Sequence, residues 1–222
     1  MTLPERLNAV QSAVTAAARE AGRDPAEITT VVVTKFQPAS LIRELAALGI
    51  RDFGESRHQE ASAKAVELAD LGVRWHFVGQ LQGNKAKRVR GYAHVIHSVD
   101  RIPLVDALES DDGSVDCFLQ VALSEDGGRG GVAPDALEAL AERVVSAQGL
   151  RLLGVMAVAP IDVEPRAAFA RLREASERVS AIAPDATRIS AGMSGDFREA
   201  VLEGATHLRI GTAITGNRPA RG

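Results

Sequence analysis

Cysteine, tryptophan and tyrosine occur once each in this 222-residue chain, and aromatic residues make up only 4% of it. A single cysteine cannot close an internal disulfide, which fits a reducing cytoplasm. Cys117 lies inside the apolar run VDCFLQVAL, where it reads as a small buried hydrophobe rather than a nucleophile. Neither sign of charge dominates: 26 basic residues face 29 acidic ones, a formal charge of -3, with a pI of about 6.0. That balance leaves no electrostatic footprint for nucleic acid. The densest basic group, NKAKRVR at 84–90, reads as a solvated helix face. No apolar run is long enough to span a bilayer. The N-terminal MTLPERLNAVQSAVTAAARE lacks the apolar segment of a signal peptide and reads as an amphipathic helix. Linkers rich in Pro, Gly or Ser are missing too, so residues 1–222 are expected to form a single domain.

Short apolar runs alternate with longer amphipathic ones from end to end. Strands are predicted at 28–35, 51–54, 74–79, 94–97, 115–123, 150–158, 187–189 and 207–210. Between them lie helical segments such as PASLIRELAALG, RHQEASAKAVELADLG, PDALEALAERVVSAQG, EPRAAFARLREASERVSAIAP and SGDFREAVLEG. Several of these close on Gly49, Gly72, Gly149, Pro184 or Gly204, as helix stops should. Strand–helix repetition implies parallel strands with helical crossovers. About eight such units close a (β/α)8 barrel, here with an additional N-terminal helix. An open doubly wound sheet is the alternative, but it usually needs fewer strands.

Function in a barrel sits at the carboxyl ends of the strands. Those ends carry Lys35, GES at 54–56, GQLQGNK at 79–85, His97-Ser98, SEDGGRGG, Met156, AGMSGD and RIGT. The set is polar and glycine-rich, whereas the strands that feed it are apolar. In AGMSGDFREAVLEG, Ser194 stands where a helix N-cap is expected, with Asp196 in the first turn. In HLRIGTAITG, Gly211 permits close backbone approach and Thr212 adds a hydroxyl. Helix N-termini offer unpaired N–H groups to phosphate, and the last two strand–helix loops are the recurrent phosphate site of this architecture.

Two-residue alternation places Lys35 on one face with Val31 and Val33, and Arg209 with His207. First and last strands are neighbours in a closed barrel, so Lys35 and Arg209 are expected to share one mouth. A nearby guanidinium and an apolar strand both disfavour a charged lysine, and a neutral amine can form a Schiff base. A lysine, an arginine and a phosphate cup together fit a phosphorylated aldehyde. The same alternation sets His76 on the Lys35 face and turns Trp75 and Phe77 toward the helices.

At these positions the sequence resembles the pyridoxal phosphate homeostasis family. The carrying segments are VVVTKFQPAS, FGESRHQE, WHFVGQLQGNK, IHSVD, GVMAVAP and AGMSGDFREAVLEGATHLRIGTAITG, which run along nearly the whole chain. The resemblance implies the (β/α)8 fold of the alanine racemase N-terminal domain, with pyridoxal 5′-phosphate (PLP) held as a Schiff base on Lys35. It further implies phosphate contacts from Ser194, Gly211 and Thr212, and Arg209 facing the pyridine nitrogen. Two departures stand out. Ser56-Arg57 replaces a frequent Asn-Tyr, so a hydroxyl at Ser56 stands near the cofactor in place of an amide. Arg129 replaces a frequent lysine.

The residues favour a carrier over an enzyme. An arginine cannot accept the proton that would make the pyridine a strong electron sink. Racemases of this fold take a second acid/base from a further β-domain, and no such domain follows TGNRPARG. The expected protein is a cytoplasmic monomer that carries PLP, with apo PLP-enzymes as possible recipients. The alternatives are an amino-acid racemase-like enzyme and a Schiff-base aldolase acting on a sugar phosphate. An aldolase would need an acid/base beside the lysine. His76, Asp100, His97 and Glu55 are candidates, each expected instead in a core or capping role.

Overall fold

The structure is a computed structural model that describes residues 1–124 and 130–216. Among these, eight parallel strands close into a barrel in chain order. They are β1 (Thr29–Val33), β2 (Asp52–Glu55), β3 (Arg74–Phe77), β4 (Val95–Val99), β5 (Val115–Gln120), β6 (Leu150–Met156), β7 (Arg188–Ser190) and β8 (His207–Ile210). Closure is by β1 on β8, with Thr29 opposite His207 and Val32 opposite Ile210. The surrounding helices are α1 (Leu3–Glu20), α2 (Ala39–Ala47), α3 (His58–Glu67), α4 (Ala86–Arg90), α5 (Ile102–Leu108), α6 (Leu137–Ser146), α7 (Pro165–Ile182), α8 (Phe197–Leu202) and α9 (Thr212–Thr215).

The additional N-terminal helix is present and well started. Thr2 and Glu5 form a reciprocal capping box, and a proline occupies the first turn, where its missing N–H costs nothing. Leu7, Val10, Val14, Ala17 and Ala18 are buried at three- and four-residue spacing, so one stripe meets the core. That stripe packs on α8 and α9. Burying each large side chain contributes about 1.5–3 kcal/mol, and Val10→Asp would break the seam.

Outward residues of the strands, Trp75 and Phe77 among them, join the helices in one large apolar cluster. A smaller cluster of Val95, Phe118, Leu153 and Met156 fills part of the barrel interior. The remaining interior is polar: His76, His97, Ser190, His207 and Arg209 are all buried. Cys117 is fully buried and its thiol is pushed up to about 12 by burial, as expected of an inert small hydrophobe. At Gly154, with φ of +148°, a Cβ would lie 1.8 Å from the carbonyl oxygen of Arg188. Only glycine lets β6 approach β7 this closely.

Strand ends differ from the periodicity. The first strand stops at Val33 rather than 35, because the chain turns at Thr34 and Gln37 N–H closes onto Thr34 O at 3.0 Å. The fifth stops at Gln120, after which Val121 bridges to Val132. The group at 84–90 is only partly a solvated face. Lys87 and Arg88 are exposed, but Arg90 Nη1 donates to the carbonyls of Leu108 and Gly149.

Candidate functional site

Lys35 occupies the second position of the turn that ends β1, and it is exposed. The expected desolvation by an apolar strand is therefore not found, because the strand ends two residues earlier. What holds the turn is ionic. Thr34 O accepts from Lys64 Nζ at 2.9 Å, and the same ammonium reaches Glu55 Oε1 and Glu60 Oε1, each at 2.7 Å. Glu60 Oε1 also accepts from Phe36 N–H at 2.6 Å, and Thr34 Oγ1 donates to Glu55 Oε1 at 2.7 Å. Phe36 adopts φ of +66°, a conformation that costs a non-glycine residue on the order of 1–3 kcal/mol. The Arg57 guanidinium lies 4.6 Å over its ring. Arg57 in the departing Ser56-Arg57 pair thus clamps the lysine turn from above, a contact that spacing alone does not show.

Glu55 does not face the mouth. It is buried beneath α3, its carboxyl pushed up by burial against the pull of Lys64. This removes it from the acid/base candidates and gives it a structural task. Ser56, one residue on, is half-buried. The next loop packs closely on its backbone, since a Cβ on Gly79 would come within 2.2 Å of Ser56 O.

The two expected phosphate loops do meet. Ala213 N–H donates to Ser194 Oγ at 3.4 Å, joining the loop after β7 to the first turn of α9. Ser194 is not the N-cap of α8, however. That position belongs to Asp196, whose carboxylate accepts from Met193 N–H at 2.6 Å and so folds the loop back on itself. Gly211 is the N-cap of α9 and Thr212 its first residue. The N–H groups of Thr212 and the residue after it have no acceptor within the helix. Since Val32 pairs with Ile210, Gly211–Thr212 and Thr34–Lys35 leave adjacent strand ends on the same side.

Arg209 is 5% exposed. Its Nη1 donates to Ser190 Oγ at 2.7 Å and its Nη2 to Ala157 O at 2.8 Å, and burial lowers it to about 10. It lies beneath the mouth while Lys35 stands in solvent, so the two share an end of the barrel at different depths. His76 and His97 are both interior, hydrogen-bonded to each other at 2.9 Å. Asp100 pairs with Arg101. Arg129 and the stretch 125–129 lie outside the described residues.

A cavity of about 700 Å³ opens at the opposite, amino-terminal end, lined by Asp52, Arg74, Asp116, Arg151, Arg188 and His207 among others. Its charges largely answer one another. Asp116 accepts two bonds from Arg151, at 2.6 and 2.8 Å, and a third from Arg74 at 3.5 Å. Sequence reasoning had no signal for this end, because the residues concerned begin strands whose apolar runs mask them.

The profile of the alanine racemase N-terminal domain family matches residues 6–219. A Mycobacterium tuberculosis protein named pyridoxal phosphate homeostasis protein is 42% identical over 99% of this chain and 94% of its own. One of the same name from Pseudomonas aeruginosa is 41% identical over 98% of this chain and 96% of its own. Among solved structures, PipY of Synechococcus elongatus with PLP bound superposes at a TM-score of 0.84 with 35% identity, over 97% of this chain and 100% of that one. An alanine racemase of Corynebacterium glutamicum shares the fold at a TM-score of 0.70 and 16% identity, over 97% of this chain and 63% of its own.

Proposed function

The chain belongs to the pyridoxal phosphate homeostasis family, built on the alanine racemase N-terminal barrel, and on that premise we propose that it binds PLP at the barrel mouth and serves PLP homeostasis. The observation that carries this reading is the meeting of Ser194 with the first turn of α9, one strand away from the exposed Lys35. The residues fit the cofactor. A dianionic phosphate wants open N–H groups and hydroxyls, which Gly211, Thr212 and Ser194 supply. When bound, PLP supplies an aldehyde that a primary amine takes up as a Schiff base, and Lys35 is the amine we assign to it.

Each residue then has a task. Ser194 and Thr212 hold the phosphate by hydroxyl and backbone donors, and Gly211 leaves room for it. Ser56 offers a hydroxyl at the end of β2. Arg209 donates from below, at the position assigned to the pyridine nitrogen, and as a guanidinium it cannot accept a proton there. That last feature supports a carrier rather than a racemase, with transfer of PLP to apo-enzymes by a monomer as the working form.

The test is incubation with L- and D-amino acids in deuterated water, beside transfer of PLP to an apo-enzyme. No enzyme-like exchange at Cα, together with transfer faster than spontaneous release, is the expected result. Exchange or racemisation at about 1 per second or faster, lost in Lys35→Ala, would replace the carrier by an enzyme.

A further inference from the structure

Five polar side chains form an unbroken line through the barrel, from beneath the mouth to the base. Arg209 Nη1 on β8 donates to Ser190 Oγ on β7 at 2.7 Å. Ser190 Oγ meets His97 Nδ1 on β4 at 2.8 Å. His97 Nε2 meets His76 Nδ1 on β3 at 2.9 Å, and His76 Nε2 meets Asp52 Oδ1 on β2 at 2.9 Å. The first four are buried. Asp52 is half-buried and opens on the base cavity.

The proton positions follow from the two ends. A guanidinium has only donors, so Ser190 accepts from Arg209 and has one hydroxyl proton left. That proton can serve His97 Nδ1, and the carboxylate at the other end of the line decides that it does. A neutral His97 then carries its proton on Nε2 and donates to His76 Nδ1. His76 in turn carries its proton on Nε2 and donates to Asp52, and an ionised carboxylate can only accept. Every link is satisfied in one direction. In the reverse direction, an unprotonated His76 Nε2 would face a carboxylate. Burial lowers both histidines, His97 well below its usual value, which keeps them neutral. Burial acts to raise Asp52, but the His76 hydrogen bond and the nearby Arg74 guanidinium hold the carboxyl low. His207 stands outside the line, its Nδ1 on Thr206 Oγ1 at 2.9 Å. Among the described residues no carboxylate contacts Arg209 directly.

We propose that Asp52 is a positioning residue for Arg209, acting from the far end of the barrel. As terminal acceptor it fixes His76 and His97 as Nε2–H tautomers and leaves Ser190 turned to hold the guanidinium. The ordering is a property of the protein itself. Its effect on a bound cofactor rests on the PLP reading above.

Nitrogen-15 NMR of the full chain reads the tautomers with and without PLP. In the native protein both His76 and His97 should show protonated Nε2 and unprotonated Nδ1. Asp52→Ala removes the terminal acceptor and should shift His97, two residues along the line, toward the other tautomer together with His76. Asp52→Asn, nearly isosteric, can donate as well as accept and should give a mixture if the alanine variant does not fold. Asp116→Asn removes a base charge outside the line and should leave both tautomers unchanged. With PLP added, the Asp52 variants should also shift the absorption maximum while Asp116→Asn does not. An Nδ1–H tautomer at either histidine in the native chain, or an unmoved His97 in the Asp52 variants, overturns the relay. A moved His97 with an unmoved spectrum would confine Asp52 to ordering the interior and defeat its role toward the cofactor.

Discussion

The two ends of this barrel treat charge in opposite ways. At the base, Arg74 and Arg151 both turn onto Asp116 and Asp52 meets His76, so most of the charge lining a roomy cavity already has a partner. At the mouth, Lys35 stands exposed on its turn, and the first N–H groups of α9 have no acceptor within their helix. The ions that do pair near the mouth, Lys64 with Glu55 and Glu60, lie under the turn and hold it in place. Space alone would point to the base. The open Thr212 N–H, the hydroxyls of Ser194 and Thr212 and the exposed Lys35 point to the mouth, and these are what an anionic aldehyde needs.

The sharpest way to break this comparison is to remove the buried ammonium under the mouth. Lys64→Met leaves Glu55 and Glu60 without their shared cation. Breaking a buried pair from one side typically costs about 3–5 kcal/mol, so urea unfolding should show a loss of that order. PLP uptake should fall as well, because the Lys35 turn loses its anchor on Thr34 O. Unchanged stability would mean that the cluster does not organise the mouth.

The next largest effect separates the ends by ligand. Ser194→Ala with Thr212→Val should weaken PLP by about 1.5–3 kcal/mol for each lost charge-assisted bond. Pyridoxal, which lacks the phosphate, should be nearly unaffected. Asp116→Asn at the base weakens its pairs with Arg74 and Arg151, both more than half exposed, and should cost no more than about 1 kcal/mol of stability, with PLP affinity unchanged. Equal weakening of PLP and pyridoxal in the mouth variant would remove the phosphate role from these two loops.

Much of this division was legible in the residues. Alternation placed His76 inside the barrel and Trp75 and Phe77 outside, and the order of eight strands closed as expected. The loops that meet at Ser194 and Ala213 were found by their place after the last two strands. Three features were not legible, each for a physical reason. Lys64 lies on an amphipathic helix among exposed charges, and nothing in RHQEASAKAVELADLG distinguishes a buried lysine from a solvated one. A left-handed Phe36 has no sequence signal, since that conformation usually calls for glycine, and so β1 was read two residues too long. Ser194 was read as a cap because its residue type suits one, whereas Asp196 takes the position and uses its carboxylate on Met193 N–H instead.

Acid tests the interior between the two ends. Burial lowers His76, His97 and His207, the last to about 3. The unfolded chain, with histidines near their usual 6.5, therefore binds more protons than the folded one below that pH. Stability should be full above about pH 6.5 and fall as the pH drops toward the folded values, by up to about 1.4 kcal/mol per histidine per unit. Urea titrations from pH 7.5 to about pH 4.5 would read this slope, and His97→Gln should make it shallower. A flat profile would place charge, not neutral imidazole, inside the barrel. The smallest effect belongs to Arg57→Ala, which removes the cation over Phe36 and should cost about 0.5–1 kcal/mol, with a modest loss of PLP affinity measured by spectral titration.

The central claim is that the mouth, through Lys35, takes the cofactor. The chain has four lysines, Lys35, Lys64, Lys85 and Lys87, and Lys64 is already committed to three acceptors. Borohydride reduction of the PLP-loaded protein, followed by peptide mapping, assigns the attachment directly. The account predicts a single reduced adduct on Lys35, absent in Lys35→Ala. An adduct on Lys85 or Lys87, or an undiminished yield in Lys35→Ala, would contradict it.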